Sequence, residues 1–66
     1  MTTGQKKVLK AAGELGASKG NFDSKYWRNF DQLEHKGLIA RQTYTGFYRL
    51  TAEGAKIWNS LWFVRT

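Results

Sequence analysis

The chain contains no cysteine and no proline, and it has a single histidine among its 66 residues. Without cysteine it can form neither a disulfide framework nor a thiolate metal site. His35 has no second histidine with which to complete a zinc site, so we expect no metal and no cofactor. Stability must come from side-chain packing, to which the aromatic residues, 15% of the chain, contribute large apolar areas.

Negative charge is scarce as well. Five Asp and Glu residues stand against eleven Lys and Arg residues, which gives a net charge of +6 at pH 7. Such a field on a short chain attracts polyanions. Long apolar runs and a secretory leader are also absent from the sequence, so we expect a cytoplasmic protein with no membrane partner. The length predicts one domain, residues 1–66.

Two helices are predicted in the first half of the chain. The first, residues 3–15, has Thr2 or Thr3 as its N-cap, with Gln5 three residues after Thr2 as in a capping box, and ends at Gly16. Its apolar face comprises Val8, Leu9, Ala12 and Leu15. Residues 16–23 are expected to form a loop that inserts Phe22 into the core.

The second helix is predicted over residues 24–36. Asp23 or Ser24 is its expected N-cap, and Gly37 ends it. Its inward stripe comprises Tyr26, Phe30 and Leu33. Trp27 lies beside this stripe, where it is either a core residue or an exposed interface residue.

A β-hairpin and a third helix are predicted in the second half. The strands cover residues 39–43 and 47–50, and Gly46 supplies the positive φ of the turn between them. The last helix begins after Thr51, its expected N-cap. Its predicted inner face comprises Ala55, Trp58, Leu61 and Trp62, and further apolar residues, Ile57, Phe63 and Val64, widen that face.

Two segments of this pattern are distinctive. They are residues 33–39, Leu-Glu-His-Lys-Gly-Leu-Ile, and residues 48–54, Tyr-Arg-Leu-Thr-Ala-Glu-Gly. Together with the first helix and the hairpin, they resemble the winged helix-turn-helix regulators of bacteria and their phages. The resemblance implies a small α+β winged-helix fold, helix–loop–helix–β-hairpin–helix. Residues 24–36 would be its recognition helix and residues 39–50 its wing, while the usual intervening helix is shortened to residues 16–23.

The resemblance and the charge together predict sequence-specific binding to double-stranded DNA by a small bacterial or phage regulator. Arg28 could fork onto guanine, and Asn29 or Gln32 could pair with adenine. The full set of expected DNA-binding residues is Ser24, Lys25, Trp27, Arg28, Asn29, Gln32, Arg41, Thr43, Tyr44, Thr45 and Arg49. The expected phosphate contacts are Lys6, Lys10, Lys19 and Lys36.

Other interpretations stay open at this stage. Arg41 and Arg49 could pair with Glu34 or Glu53 instead of contacting DNA. The chain could be a protein–protein interaction module or homodimer that uses the apolar face of its last helix, namely Ile57, Trp58, Leu61 and Phe63. Exposed rings such as Tyr44, Phe47 and Trp27 could bind RNA or a single strand. An enzyme is not expected, because the sequence has no glycine-rich phosphate loop and no assembled catalytic triad.

Overall fold

A computed structural model describes residues 1–62. The elements are three α-helices and one antiparallel hairpin, in the order α1 (Thr3–Glu14), α2 (Trp27–His35), β1 (Ile39–Arg41), β2 (Tyr48–Leu50) and α3 (Ala52–Trp62). Two short 3₁₀ turns, Lys19–Asn21 and Ser24–Tyr26, precede α2. The predicted α+β class and element order are therefore confirmed. Among residues 1–62, no helix has the length and apolar character needed to cross a membrane.

The start of α1 follows the predicted capping pattern. Thr2 Oγ1 accepts the backbone N–H of Gln5 at 3.2 Å, and Gln5 Oε1 accepts the N–H of Thr2 at 3.1 Å. This reciprocal pair satisfies two backbone donors that a helix start leaves without partners. The other end agrees with the prediction in part: Gly16 has the positive φ, +89°, of a glycine that ends a helix, but the helix is one residue shorter than predicted. The helix ends at Glu14, and Leu15 is 86% exposed because its backbone has already left the helical path.

The segment between α1 and α2 does more than connect them. Ala17 is buried and forms an antiparallel bridge with Tyr48, whose carbonyl accepts the Ala17 N–H at 3.0 Å. Phe22 packs against the core as predicted, with its ring edge-on to that of Phe30 at 5.3 Å. The loop is thus fastened to the hairpin at one end and to α2 at the other.

α2 begins at Trp27, three residues later than predicted. The Tyr26 N–H bonds to the Asp23 carbonyl at 2.9 Å, which closes a tighter 3₁₀ turn before the α-helix starts. The N-cap of α2 is Tyr26, so the predicted N-cap at Asp23 or Ser24 is wrong for this helix. Asp23 instead precedes the 3₁₀ turn and makes no capping hydrogen bond through its side chain. The C-terminal end is as predicted. Gly37 adopts φ +77°, and the Leu38 N–H bonds to the Leu33 carbonyl at 3.0 Å.

The hairpin is shorter than predicted because its turn begins earlier. Gln42 donates its N–H to the Phe47 carbonyl and accepts the Gly46 N–H, both at 2.9 Å, so residues 42–47 form the connection. Gly46 has the predicted positive φ, at +71°. The register pairs Ile39 with Leu50, Ala40 with Arg49, and Arg41 with Tyr48. Because strand side chains alternate between faces, Arg49 lies on the outer face and Arg41 on the inner one.

The core lies between the helices and the inner face of the hairpin. Its largest fully buried side chains are Phe30, Leu9, Leu33, Ile39 and Val8. α3 closes this core from one side, and its N-terminus is capped by Thr51, whose Oγ1 accepts the Gly54 N–H at 3.1 Å. Gly54 is buried against the backbone of Leu38, at a distance that leaves no room for a side chain.

The inner face of α3 differs in part from the prediction. Ile57, Trp58 and Trp62 all pack against the core. Leu61, which was predicted to be on the inner face, is 43% exposed. The contact with the core is made by the other three apolar residues instead. Trp58 also donates its ring N–H to the carbonyl of Lys10 at 3.2 Å, which ties α3 to α1.

Candidate nucleic-acid interface

Two exposed basic side chains lie at the start of α2: Lys25 in the 3₁₀ turn before it, and Arg28 in its first turn. Neither lies within 4.0 Å of a carboxylate in residues 1–62. The first turn of α2 contains no acidic residue, and its N-terminus has no side-chain cap. A helix N-terminus has a partial positive charge, so cations there do not favour the helix. Folding alone does not account for this placement, which creates a local positive field at the surface.

Asn29 and Gln32 are not free to read a base as the sequence suggested. Gln32 Oε1 accepts hydrogen bonds from Gln5 Nε2 at 2.9 Å and from Asn29 Nδ2 at 3.3 Å. Asn29 Oδ1 in turn lies against Gly4, where an added Cβ would approach it to 2.7 Å. A forked contact with adenine requires the amide oxygen as an acceptor. Gln32 could present its oxygen to adenine only by giving up these bonds, and Asn29 only by turning its amide away from Gly4.

Trp27 is partly buried, and its indole ring is held by a hydrogen bond. It is 44% exposed, and its ring N–H donates to the carbonyl of Lys19 at 2.9 Å. This bond holds the indole against the loop before α2 and leaves part of one face open to solvent. Its burial therefore lies between the two alternatives that the sequence left open.

Lys19 has a partner of its own. Its ammonium group lies 3.0 Å from the carboxylate of Asp31, one helical turn beyond Trp27. This hydrogen bond to Asp31 raises the pKa of Lys19 above its ordinary value, against a smaller opposing effect of burial. Lys19 is therefore less available to a phosphate than the sequence indicated.

The hairpin presents a second set of exposed polar and basic side chains. Tyr44 is completely exposed at the tip, where it has no packing role. Thr43 is exposed beside it, and the Thr45 hydroxyl accepts the N–H of Phe47 at 3.1 Å, which stabilises the turn. Arg41 and Arg49 are also exposed, on the opposite faces already described. One flat surface cannot meet both arginines, whereas a groove that surrounds the hairpin edge could.

The alternative ion pairs of these arginines are not formed. Glu53 instead lies 3.5 Å from Lys56, one turn along α3. No carboxylate of the described residues lies within 4.0 Å of Arg41 or Arg49. A shallow pocket of about 180 Å³ separates the hairpin from the end of α1, and its lining comprises Leu15, Gln42, Thr45, Phe47 and Arg49.

The remaining predicted contacts are spread over the molecule. Ser24 is exposed in the 3₁₀ turn, next to Lys25. Lys6 and Lys10 are exposed one turn apart on α1, and Lys36 is exposed at the opposite end of α2 from Arg28. One cation that the site prediction omitted stands out. Lys7 lies over the ring of Tyr26 at 5.1 Å, and so reaches the start of α2 from α1.

The predicted protein-interaction face is reduced in the structure. Ile57 and Trp58 pack against the core, so Leu61 is the exposed member of the predicted face among the described residues. Phe63 and Val64 lie outside the described residues.

Comparison with protein families, with curated proteins and with solved structures finds no match to this chain. Its chemistry must be inferred from its own side chains. Among the regions whose exposed cations have no carboxylate partner within residues 1–62, two carry an arginine, the start of α2 and the hairpin. The first can present a guanidinium and an ammonium group on a helix, and the second can present two guanidinium groups beside an exposed ring.

Proposed function

We propose that this chain is a winged-helix domain that binds double-stranded DNA in a sequence-specific manner, as a small bacterial or phage regulator. In this proposal α2 is the recognition helix and the hairpin is the wing. The observation that carries it is the pair Lys25 and Arg28, exposed and without carboxylate partners among residues 1–62 at a helix end that disfavours cations. No carboxylate of the described residues neutralises their positive charge, which suits a polyanion.

The dimensions of α2 agree with this role. A major groove about 12 Å wide accepts one α-helix, and residues near the N-terminal end of that helix reach the base edges. Arg28 is in the first turn, where its planar guanidinium could donate to guanine O6 and N7. Lys25, one turn earlier, would contact a phosphate or a base edge. With the amide oxygen of Gln32 accepting two hydrogen bonds and that of Asn29 lying against Gly4, Arg28 is the main candidate for reading sequence.

The wing would contribute through position and charge. Arg41 and Arg49 on opposite faces suit insertion of the hairpin into a groove, with phosphates of two strands on either side. Tyr44 at the tip would then lie deepest, against sugars or base edges. Contacts of this kind orient the domain on the duplex, while the helix discriminates between sequences.

The test begins with selection of a preferred duplex from a random-sequence pool, followed by titration of that duplex and of an unrelated one at several salt concentrations. We expect affinity to fall as salt rises, because each phosphate contact releases counterions. Arg28→Ala should bring the two duplexes closer in affinity by about 1–3 kcal/mol, the value of one forked contact. Lys56→Ala is the matched control, since Lys56 lies on α3 beside Glu53. Equal affinity for all duplexes, or affinity independent of salt, would contradict the proposal.

The same titrations rank the other candidates. Single-stranded DNA and duplex RNA, included as competitors, would displace the probe more strongly than duplex DNA if exposed rings carried binding. A protein-interaction role has lost support, because Ile57 and Trp58 pack inward. Light scattering on the wild type and on Leu61→Lys would show whether the remaining exposed position on α3 holds two copies together.

A further inference from the structure

Two ammonium groups from separate elements converge on one aromatic ring. Lys7 extends from the middle of α1, and Lys25 from the 3₁₀ turn before α2. Their Nζ atoms lie 5.1 and 5.3 Å from the centre of the Tyr26 ring. Both distances fall within the range of an attractive cation–π contact.

The ring that gathers these cations is itself held in place. Tyr26 is half-buried, and it meets the edge of Phe22 at a centroid distance of 5.7 Å. Phe22 in turn packs on buried Phe30. The ring that both lysines approach is therefore packed onto the core.

The cations on this platform are not neutralised by the protein. Within residues 1–62, no carboxylate lies within 4.0 Å of Lys7 or Lys25. Two like charges near one ring repel each other, and a cation–π contact at an exposed site contributes only about 0.5–1 kcal/mol. Because each Nζ lies just over 5 Å from the ring centre, the two are at most about 10 Å apart, and the flexible lysine stems can bring both to one anion. That anion would interact favourably with both charges and would relieve their repulsion.

We propose that Lys7 and Lys25 together bind one backbone phosphate of the nucleic acid, with Tyr26 as the ring that positions them. The inference rests on the proposed function and adds α1 to the interface. A lysine offers three N–H donors around a compact charge, so two lysines can share one phosphodiester without the planar geometry that arginine needs. The site would position the domain on the backbone, and it would not read sequence.

A double-mutant cycle tests the shared phosphate. Lys7→Gln, Lys25→Gln and the double variant are titrated with duplex DNA over a range of salt concentrations, with Lys56→Gln as the control for loss of one charge. For one shared phosphate, the salt slope of the double variant should be smaller than that of wild type by about 0.9, and the losses from the single variants should not add. Additive losses with a slope change of about 1.8 would indicate two separate phosphates and overturn the proposal, as would no change.

The role of the ring is tested through Tyr26. Tyr26→Phe keeps the aromatic face and should retain the coupling between the two lysines. Tyr26→Leu removes the face, and circular dichroism reports whether that variant is folded. If a folded Tyr26→Leu kept full coupling, or if Tyr26→Phe abolished it, the positioning role would be overturned.

An NMR titration with inorganic phosphate separates this inference from the proposed function. The ε-methylene signals of Lys7 and Lys25 should shift at lower phosphate concentrations than that of Lys56, and Lys7→Gln should weaken the response of Lys25. This outcome would support the anion site even if the wild type bound no duplex and the proposed function failed. Equal responses at all three lysines would overturn the anion site even if duplex binding were normal.

Discussion

The side-chain amide of Gln5 donates a hydrogen bond of 2.9 Å to Oε1 of Gln32 and so joins the first turn of α1 to the middle of α2. Gln5 is only 6% exposed, and its own oxygen accepts the N–H of Thr2 in the capping box. One buried side chain therefore both starts α1 and sets where α2 lies against it. In the proposed complex, the direction of α2 in the groove depends on this contact.

Removing the Gln5–Gln32 hydrogen bond should show how strongly the two side chains depend on each other for stability. Gln5→Ala and Gln32→Ala each destabilise the fold, the first more, because it also removes half of the capping box. Since the two side chains share one hydrogen bond, we expect a coupling free energy of about 0.5–1.5 kcal/mol in a double-mutant cycle. Urea unfolding of the four proteins measures it. Additive effects would mean that the bond contributes nothing to stability.

Gly54 should tolerate no side chain. A Cβ at this buried position would overlap the carbonyl oxygen of Leu38, which is backbone and cannot rotate away. We expect Gly54→Ala to reduce the free energy of unfolding by about 2–3 kcal/mol, at the upper end of the range for overpacking. Gly20→Ala is the matched control, because the nearest atom to its Cβ would be Ser18 Oγ at 3.6 Å. Thermal unfolding of both variants decides the matter, and equal midpoints would refute the steric argument.

The Lys19–Asp31 pair should make stability fall at alkaline pH. The hydrogen bond to Asp31 raises the pKa of Lys19 above 10.5 in the folded protein. A raised pKa means that the stabilisation is complete below the unfolded value and is lost as pH rises through the folded one. The side chains are 34% and 67% exposed, so screening limits the effect to less than about 1 kcal/mol.

Asp31→Asn isolates this contribution from other groups that titrate in the same range. The free energy of unfolding, measured by urea at pH 8 and pH 11, should fall less between the two pH values in Asp31→Asn than in wild type. The same variant should bind duplex DNA more tightly, because it frees Lys19 and removes a negative charge from α2. An identical pH response in both proteins would rule out the pair as the cause.

Tyr44 should matter for binding and not for folding. Its side chain is fully exposed at the hairpin tip, so Tyr44→Ala should change the free energy of unfolding by less than about 0.5 kcal/mol. If the tip enters a groove, the same change should weaken duplex binding by more than about 1 kcal/mol, the usual threshold for an important interface residue. Calorimetric titration compares wild type, Tyr44→Ala and the conservative Tyr44→Phe. Unchanged affinity would remove the tip from the interface.

The residues that were predicted well share one property, which is that their partners are close in the chain. The capping box of Thr2 and Gln5 spans three residues, and the glycine turn at Gly37 closes on Leu33. Periodicity likewise identified the buried stripe of Phe30 and Leu33. These features depend on local backbone geometry, which residue type and spacing determine almost completely.

Two of the predictions that failed, those for Leu61 and Leu15, concern apolar residues that compete for one limited core. Ile57 and Leu61 are both apolar residues of one helix, and nothing in the pattern says which one faces α1 and the hairpin. In the structure Ile57 packs against the core and Leu61 is exposed. Leu15 continues an apolar spacing, but the helix ends one residue before it. Which apolar side chains are buried depends on the space that the other elements leave.

Sequence by itself determined the order of the elements, the ends of α1 and α2 near their glycines, and the excess of positive charge. Only the tertiary structure decided which polar groups remain free for a ligand. Gln32 accepts a hydrogen bond from Gln5, which is 27 residues away in the chain, and Trp58 donates one to the carbonyl of Lys10, which is 48 residues away. Such pairings form when distant elements meet in three dimensions, because a hydrogen bond depends on distance and direction and not on separation along the chain.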